Sequence, residues 1–220
     1  MTRKKRFGFT LKECKILSKL NTPKKIQGFV DNLPYNLEEK GDTCYSPRKV
    51  LREKKANCIE GAVFAAAALR FHGFPPLIVD LTSVRDDDHI LAVYKIDNHW
   101  GSIAKSKYSG LVFREAIHKT IRELALSYFE SYFNYEGEKT LRGYSKPVSL
   151  SRFDKLNWMT TENDLFFIEE YLLKIKHEKL ITNSMARRLR RVTPLMKEAG
   201  ELWMIKNKLL KKARHKFEKS

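Results

Sequence analysis

Apolar positions follow two periods along this chain, and the switch between them predicts its layout. Leu11, Cys14, Ile16, Leu17 and Leu20 recur close to the helical period, which predicts a short amphipathic helix with Cys14 toward a core. Thr22 before Pro23, and Ser46 before Pro47, each set a capping oxygen ahead of a proline that suits the first helical position; two more helices are expected, the first ending near Pro34. The polar loop between them leaves Cys44 open to exposure, but nothing nearby would activate its thiol, and it reads as a bystander. In "NCIEGAVFAAAALRFHG", residues 57–73, the apolar residues leave no polar face, so this helix must be buried. Its alanines let neighbouring elements approach closely, and Gly73 with the prolines beyond it ends the helix.

The period then shortens to two. "LIVDLTS" (77–83), "HILAVYKI" (89–96) and "HWGSIAKS" (99–106) read as strands, the last two joined by a tight turn at Asp97-Asn98, so an antiparallel meander is predicted against the buried helix. "REAIHKTIRELALSYFESYFN" (114–134) predicts one long amphipathic helix that packs through Ile117, Ile121, Leu124, Leu126, Tyr128 and Phe129. Residues 135–157, rich in Gly, Ser and Lys, read as a linker or surface excursion. Helical pattern resumes after Thr161, an expected N-cap with Asp164 three residues on, and the last stretch is expected to break at Pro194 and Gly200. The expected layout is a basic helical extension over 1–21, one α+β domain over 22–134, the linker, and a basic helical region over 158–220.

Composition adds two constraints. A chain of 220 residues, 42% hydrophobic, can bury a real core, and no segment is apolar for long enough to span a bilayer. Three cysteines without a CxxC pair indicate neither a disulfide framework nor a zinc site, and a cytoplasmic location is expected. The net charge of +17 concentrates at the C-terminal end, where fifteen Lys and Arg face four Glu from position 174 onward. "RRLRR" at 187–191 and the lysine-rich 206–219 are candidate helices for nucleic acid or another anionic surface, or simply a solvated basic face, with Trp203 and Phe217 as anchors.

The candidate chemistry lies with Cys58 and His89. Cys58 falls on the first turn of the buried helix, where free N–H groups and the positive dipole end favour a thiolate. A nucleophilic thiol also needs a base, and His89 opens a strand 31 residues later. The plainer alternatives are a small buried hydrophobe and a turn histidine. The run Asp86-Asp87-Asp88 lacks a spaced ligand set and reads as a solvated loop, while His72, His99, His118, His177 and His215 fit no motif.

Cysteine at the head of a small-residue helix, two strands with histidine opening the second, and Trp100 in the third resemble the transglutaminase-like branch of the papain-like superfamily. The stretches "NCIEGAVFAAAALRFHGFPPLIVDL", "DDDHILAVYKI" and "WGSIAKS" carry the likeness, with "REAIHKTIRELALSYFESYF" after them. The resemblance implies Cys58 as nucleophile, His89 as general base, a helix-plus-antiparallel-sheet core over roughly 22–134, and acyl transfer from a peptide or other amide-containing substrate with no cofactor or metal. It also implies a carboxylate after the tryptophan to orient the imidazole, and here the alternation from Trp100 offers Ser102, Ala104 and Ser106 instead. Ser102 or a backbone carbonyl is left for that role. Tyr45, ahead of Asn57 and Thr43, is the expected second oxyanion donor beside the Cys58 N–H. The alternative is a catalytically inactive fold of this type that serves as a binding or scaffold protein.

Overall fold

The computed structural model describes residues 6–39 and 41–202; Trp203, His215, Phe217 and the expected basic helices of 206–219 lie outside the described residues. Four helices come first, α1 (Leu11–Leu17), α2 (Pro23–Asp31), α3 (Pro47–Glu53) and α4 (Cys58–Phe71). Strands β1 (Leu77–Ser83), β2 (His89–Ile96), β3 (His99–Ile103) and β4 (Arg114–His118) follow, then helix α5 (Ile121–Leu126). Strands β5 (Leu141–Ser145) and β6 (Val148–Ser149), helix α6 (Phe166–Lys174), strand β7 (His177–Lys179) and helix α7 (Asn183–Arg187) complete the described fold. The strands form one antiparallel sheet in the order β4-β3-β2-β1-β5-β7, with β6 also on β1, so the class is α+β.

The helix starts follow the capping chemistry. The hydroxyls of Thr10, Thr22 and Ser46 each accept the N–H three residues on, each cap contributing about 1 kcal/mol. Helix α4 is buried at every position from Ile59 to Leu69, which its apolar circumference requires. Gly61 marks its closest approach: a Cβ there would stand 2.5 Å from Cβ of Lys105. Lys105 threads past it, buried, and its ammonium donates to the carbonyls of Val30 (3.0 Å) and Leu33, a cation on the carbonyl end of α2.

Sheet alternation divides the core in two. Ile78, Ile90, Ala92, Tyr94 and Ile103 pack with α4, while Val79, Leu81, Leu91, Val93 and Ala104 pack on the opposite face with Leu124, Tyr128 and Tyr132. The β2–β3 turn places Asp97 and Asn98 at φ 46° and 62°, as the Asp-Asn pair implied.

Several expected elements differ. The single helix over 114–134 is replaced by β4, α5 and a 3₁₀ turn at Phe129–Ser131; Thr120 caps α5 by accepting from Glu123 N, and β4 pairs with β3. Ile117, expected to pack, is 72% exposed, because an edge strand can leave an alternate residue in water where a packed helix face would not. The stretch 135–157 is not an excursion, since it supplies β5 and β6 to the sheet. Thr161 does not cap a helix: its hydroxyl accepts from Asn163, α6 starts later, and Asp164 pairs with Lys49 at 2.8 Å. Cys44, which the polar loop left open to exposure, is fully buried. Helix persists through Gly200, over 194–202, because that glycine lies against the Phe133 ring and its carbonyl accepts from Ser109 at 3.0 Å. Among the described residues no helix is long and apolar enough to cross a membrane.

Candidate active site

Where α4 begins beside the start of β2, a cleft of about 540 Å³ opens, lined by Cys58 and His89 together with Tyr35, Tyr108 and Tyr132. Its floor is set by an N-terminal cap that sequence reasoning passed over. Asn57 accepts from Glu60 N at 3.0 Å, and the Glu60 carboxylate accepts from Asn57 N at 2.8 Å, a reciprocal capping box. Glu60 is wholly buried and also accepts from Thr43 Oγ1 (2.8 Å), Tyr45 N (3.0 Å) and Asn36 Nδ2 (3.1 Å). One carboxylate therefore ties the loop before α3 to the helix that presents the thiol. The spacing Asn57 to Glu60 carried this signal.

Cys58 is the first residue of α4 and is partly exposed. Burial of its sulfur pushes the thiol up to about 11, and the charge of Asp87 adds to the rise. The N–H groups of Ile59, Ile90 and Cys58 itself favour the thiolate, so the stabilisation expected from the helix start is present but outweighed by desolvation. Ile90 directly follows His89, which places the sulfur at the mouth of β2.

His89 is 4% exposed, and its Nε2 lies 2.8 Å from the Leu111 carbonyl. Because a carbonyl only accepts, Nε2 carries the proton and Nδ1 is left as the basic nitrogen. Tyr128 and Tyr132 flank the ring edge-on at 6.3 and 6.4 Å. Burial lowers the imidazole to about 4, with the Leu111 carbonyl opposing that fall and the charge of Arg114 adding to it. At neutral pH the site holds a neutral thiol and a neutral imidazole.

Ser102 does not reach the imidazole. Its Oγ lies 2.7 Å from Tyr128 Oη, and since Tyr128 donates to Val112 O at 2.6 Å, the serine is the donor between them. Of the two partners left open for the ring, the backbone carbonyl holds it. Ala104 is a core residue of the same face. Tyr45 does not line this cleft either: its ring lies under the ammonium groups of Lys49 and Lys55, 4.4 and 5.8 Å from its centre. Tyr35, which no motif marked, lies close enough to the Cys58 N–H for that group to stabilise its phenolate, although burial raises the phenol. Asn57 and Thr43 line the cleft with their polar atoms engaged on the cap and on Glu60. His177 pairs with buried Asp80 at 2.9 Å, remote in role from the thiol.

Two comparisons bear on this geometry. Residues 14–103, from α1 to β3 and including both Cys58 and His89, match the family described as the transglutaminase-like superfamily. No curated protein matches the chain.

Proposed function

From a chain that carries a transglutaminase-like domain over residues 14–103, we propose acyl transfer through a Cys58 thioester, in the papain-like manner. The observation that supports it is one cleft lined by both a thiol at a helix start and an imidazole whose tautomer a carbonyl has fixed. The Cys58 sulfur bonds to an amide or ester carbonyl carbon while its proton passes to His89 Nδ1. The carbonyl π pair moves to oxygen, where the Cys58 N–H is the oxyanion donor once the substrate takes the place of the Tyr35 hydroxyl at it. Collapse breaks the C–N or C–O bond, and the imidazolium returns its proton to the leaving amine or alcohol. Water, or an amine, then attacks the thioester with His89 again taking the proton, and Cys58 leaves as the thiol. Because both groups are neutral at rest, the proton moves with the attack rather than before it.

The test is p-nitrophenyl acetate with mass spectrometry of the intact chain. Acetyl transfer to Cys58 with one equivalent of nitrophenolate is expected, absent in Cys58→Ala and at least about tenfold slower in His89→Gln. No adduct on Cys58, or an adduct formed equally fast in His89→Gln, overturns the reading.

A second reading has its own observation: Arg187, Arg188, Arg190 and Arg191 are all exposed, and among the described residues the ion pair at this cluster is a 3.7 Å contact of Arg191 with Glu138. Such a cluster suits a phosphate backbone, on a fold that acts as a scaffold. Binding to duplex or single-stranded nucleic acid that falls steeply with salt is expected; absent or salt-insensitive binding removes it.

A further inference from the structure

The protein carries +17, yet its cleft is acidic. Glu38, Asp42, Asp86, Asp87, Asp88 and Glu169 line it, and among the described residues Lys107 is the one cation that does, its ammonium held 5.1 Å over the Tyr35 ring. Three of these six carboxyls are fixed by hydrogen bonds rather than by cations. Asp86 accepts from Thr140 Oγ1 at 2.6 Å, Asp88 from Ser83 N at 2.7 Å, and Glu38 from Thr43 N at 2.9 Å and Asn57 Nδ2 at 3.1 Å. None of the six forms an ion pair among the described residues.

Like charges gathered in one cleft repel one another, and burial holds the Asp86 and Glu169 carboxyls above their ordinary values. A positive group entering the cleft relieves that repulsion. Asp87 is exposed and lines the cleft together with Cys58 and Tyr35, and its charge is felt by both the thiol and the phenol. We propose that the acyl donor taken by this cleft is cationic, with an ammonium or guanidinium group beside the reacting carbonyl, and that Asp87 is its electrostatic partner. The inference rests on the acyl-transfer reading of the same cleft. It also gives the donor a part in the chemistry: a cation paired with Asp87 cancels the field that opposes the thiolate, so the substrate that the cleft attracts eases its own attack. Beyond about one Debye length, roughly 8 Å at physiological salt, the positive surface repels such a donor, and selection acts only inside the cleft.

The test compares the rates at which Cys58 of the full chain is modified by cationic (2-trimethylammonioethyl) methanethiosulfonate and anionic (2-sulfonatoethyl) methanethiosulfonate. Each rate is divided by that of the same reagent with the chain in denaturant. The corrected cation-to-anion ratio is expected to exceed one by about tenfold or more, and to fall with salt. It is expected to drop in Asp87→Asn and in Asp42→Asn, both exposed sites, and to hold in Asp97→Asn, which removes equal charge at the far end of β2. A corrected ratio near or below one, a ratio unchanged in both cleft variants, or a Cys58 that neither reagent reaches overturns the inference. Loss of ester turnover with the cation preference intact would instead remove the reaction and leave the ligand class.

Discussion

The sharpest expectation concerns the pH at which Cys58 reacts. A thiol of ordinary value 9.0 raised to about 11 is a hundredfold harder to ionise, about 2.7 kcal/mol at 1.36 kcal/mol per pH unit. At pH 7.5 the thiolate is then about one molecule in three thousand, against about 3% for the unshifted thiol. Iodoacetamide should therefore alkylate Cys58 about a hundredfold more slowly than an open thiol at pH 7.5, with the rate rising about tenfold per pH unit until close to 11. His89, protonated only near pH 4, contributes no standing imidazolium to flatten that rise. Asp87→Asn should move the midpoint downward, since Asp87 is the charge that opposes the thiolate. The measurement is the alkylation rate of the Cys58 peptide by mass spectrometry from pH 5 to 11, in the parent, His89→Gln and Asp87→Asn. A midpoint below about 8.5, or a reactive plateau at pH 5–8 that His89→Gln abolishes, would mean a preformed ion pair and refute the neutral-pair argument.

Stability should fall in acid through His89: its folded value lies below its ordinary 6.5, so its contribution is present above 6.5 and lost as pH falls toward 4, about 3 kcal/mol in all. Asp80, raised to about 6, acts in the opposite sense, its part present below 3.8 and lost as pH rises through 6, so the readout is the difference in urea unfolding between parent and His89→Gln; identical pH slopes would count against it. Glu60→Ala removes the reciprocal half of the capping box and leaves several buried or part-buried donors without an acceptor, and should cost roughly 3–5 kcal/mol by urea denaturation, a loss under about 1 kcal/mol contradicting the role given to that carboxylate. Ser102→Ala should cost about 1 kcal/mol of stability through Tyr128 while Cys58 acylation by p-nitrophenyl acetate stays within about twofold; a tenfold loss would return Ser102 to the imidazole.

Local signals were strongest where one stretch of chain settles its own conformation. The residue-by-residue alternation of β1, β2 and β3, the hydroxyl caps of α2 and α3 and the predominantly apolar α4 all depend on neighbours within a few positions, and the structure has them where the pattern put them, except that β3 ends at Ile103 rather than Ser106. Residues 114–118 failed that test because five residues of mixed polarity fit a helix face as well as an edge strand. Pairing with β3 and the Thr120 cap, not propensity, decide between the two. The strands of 135–157 were hidden in the same way: β5 and β6 are short, and their partner β1 lies roughly sixty to seventy residues back.

For the site, the order of Cys58 and His89 along the sequence and the type of element that carries each were legible from the residues alone. Only the tertiary structure decided the rest. It set the Leu111 carbonyl on Nε2, brought Tyr35 to the Cys58 N–H, and gathered carboxyls from three separate stretches into the cleft that Cys58 lines. A main-chain acceptor leaves no residue type to read, and a field is the sum of charges whose distances exist only after folding.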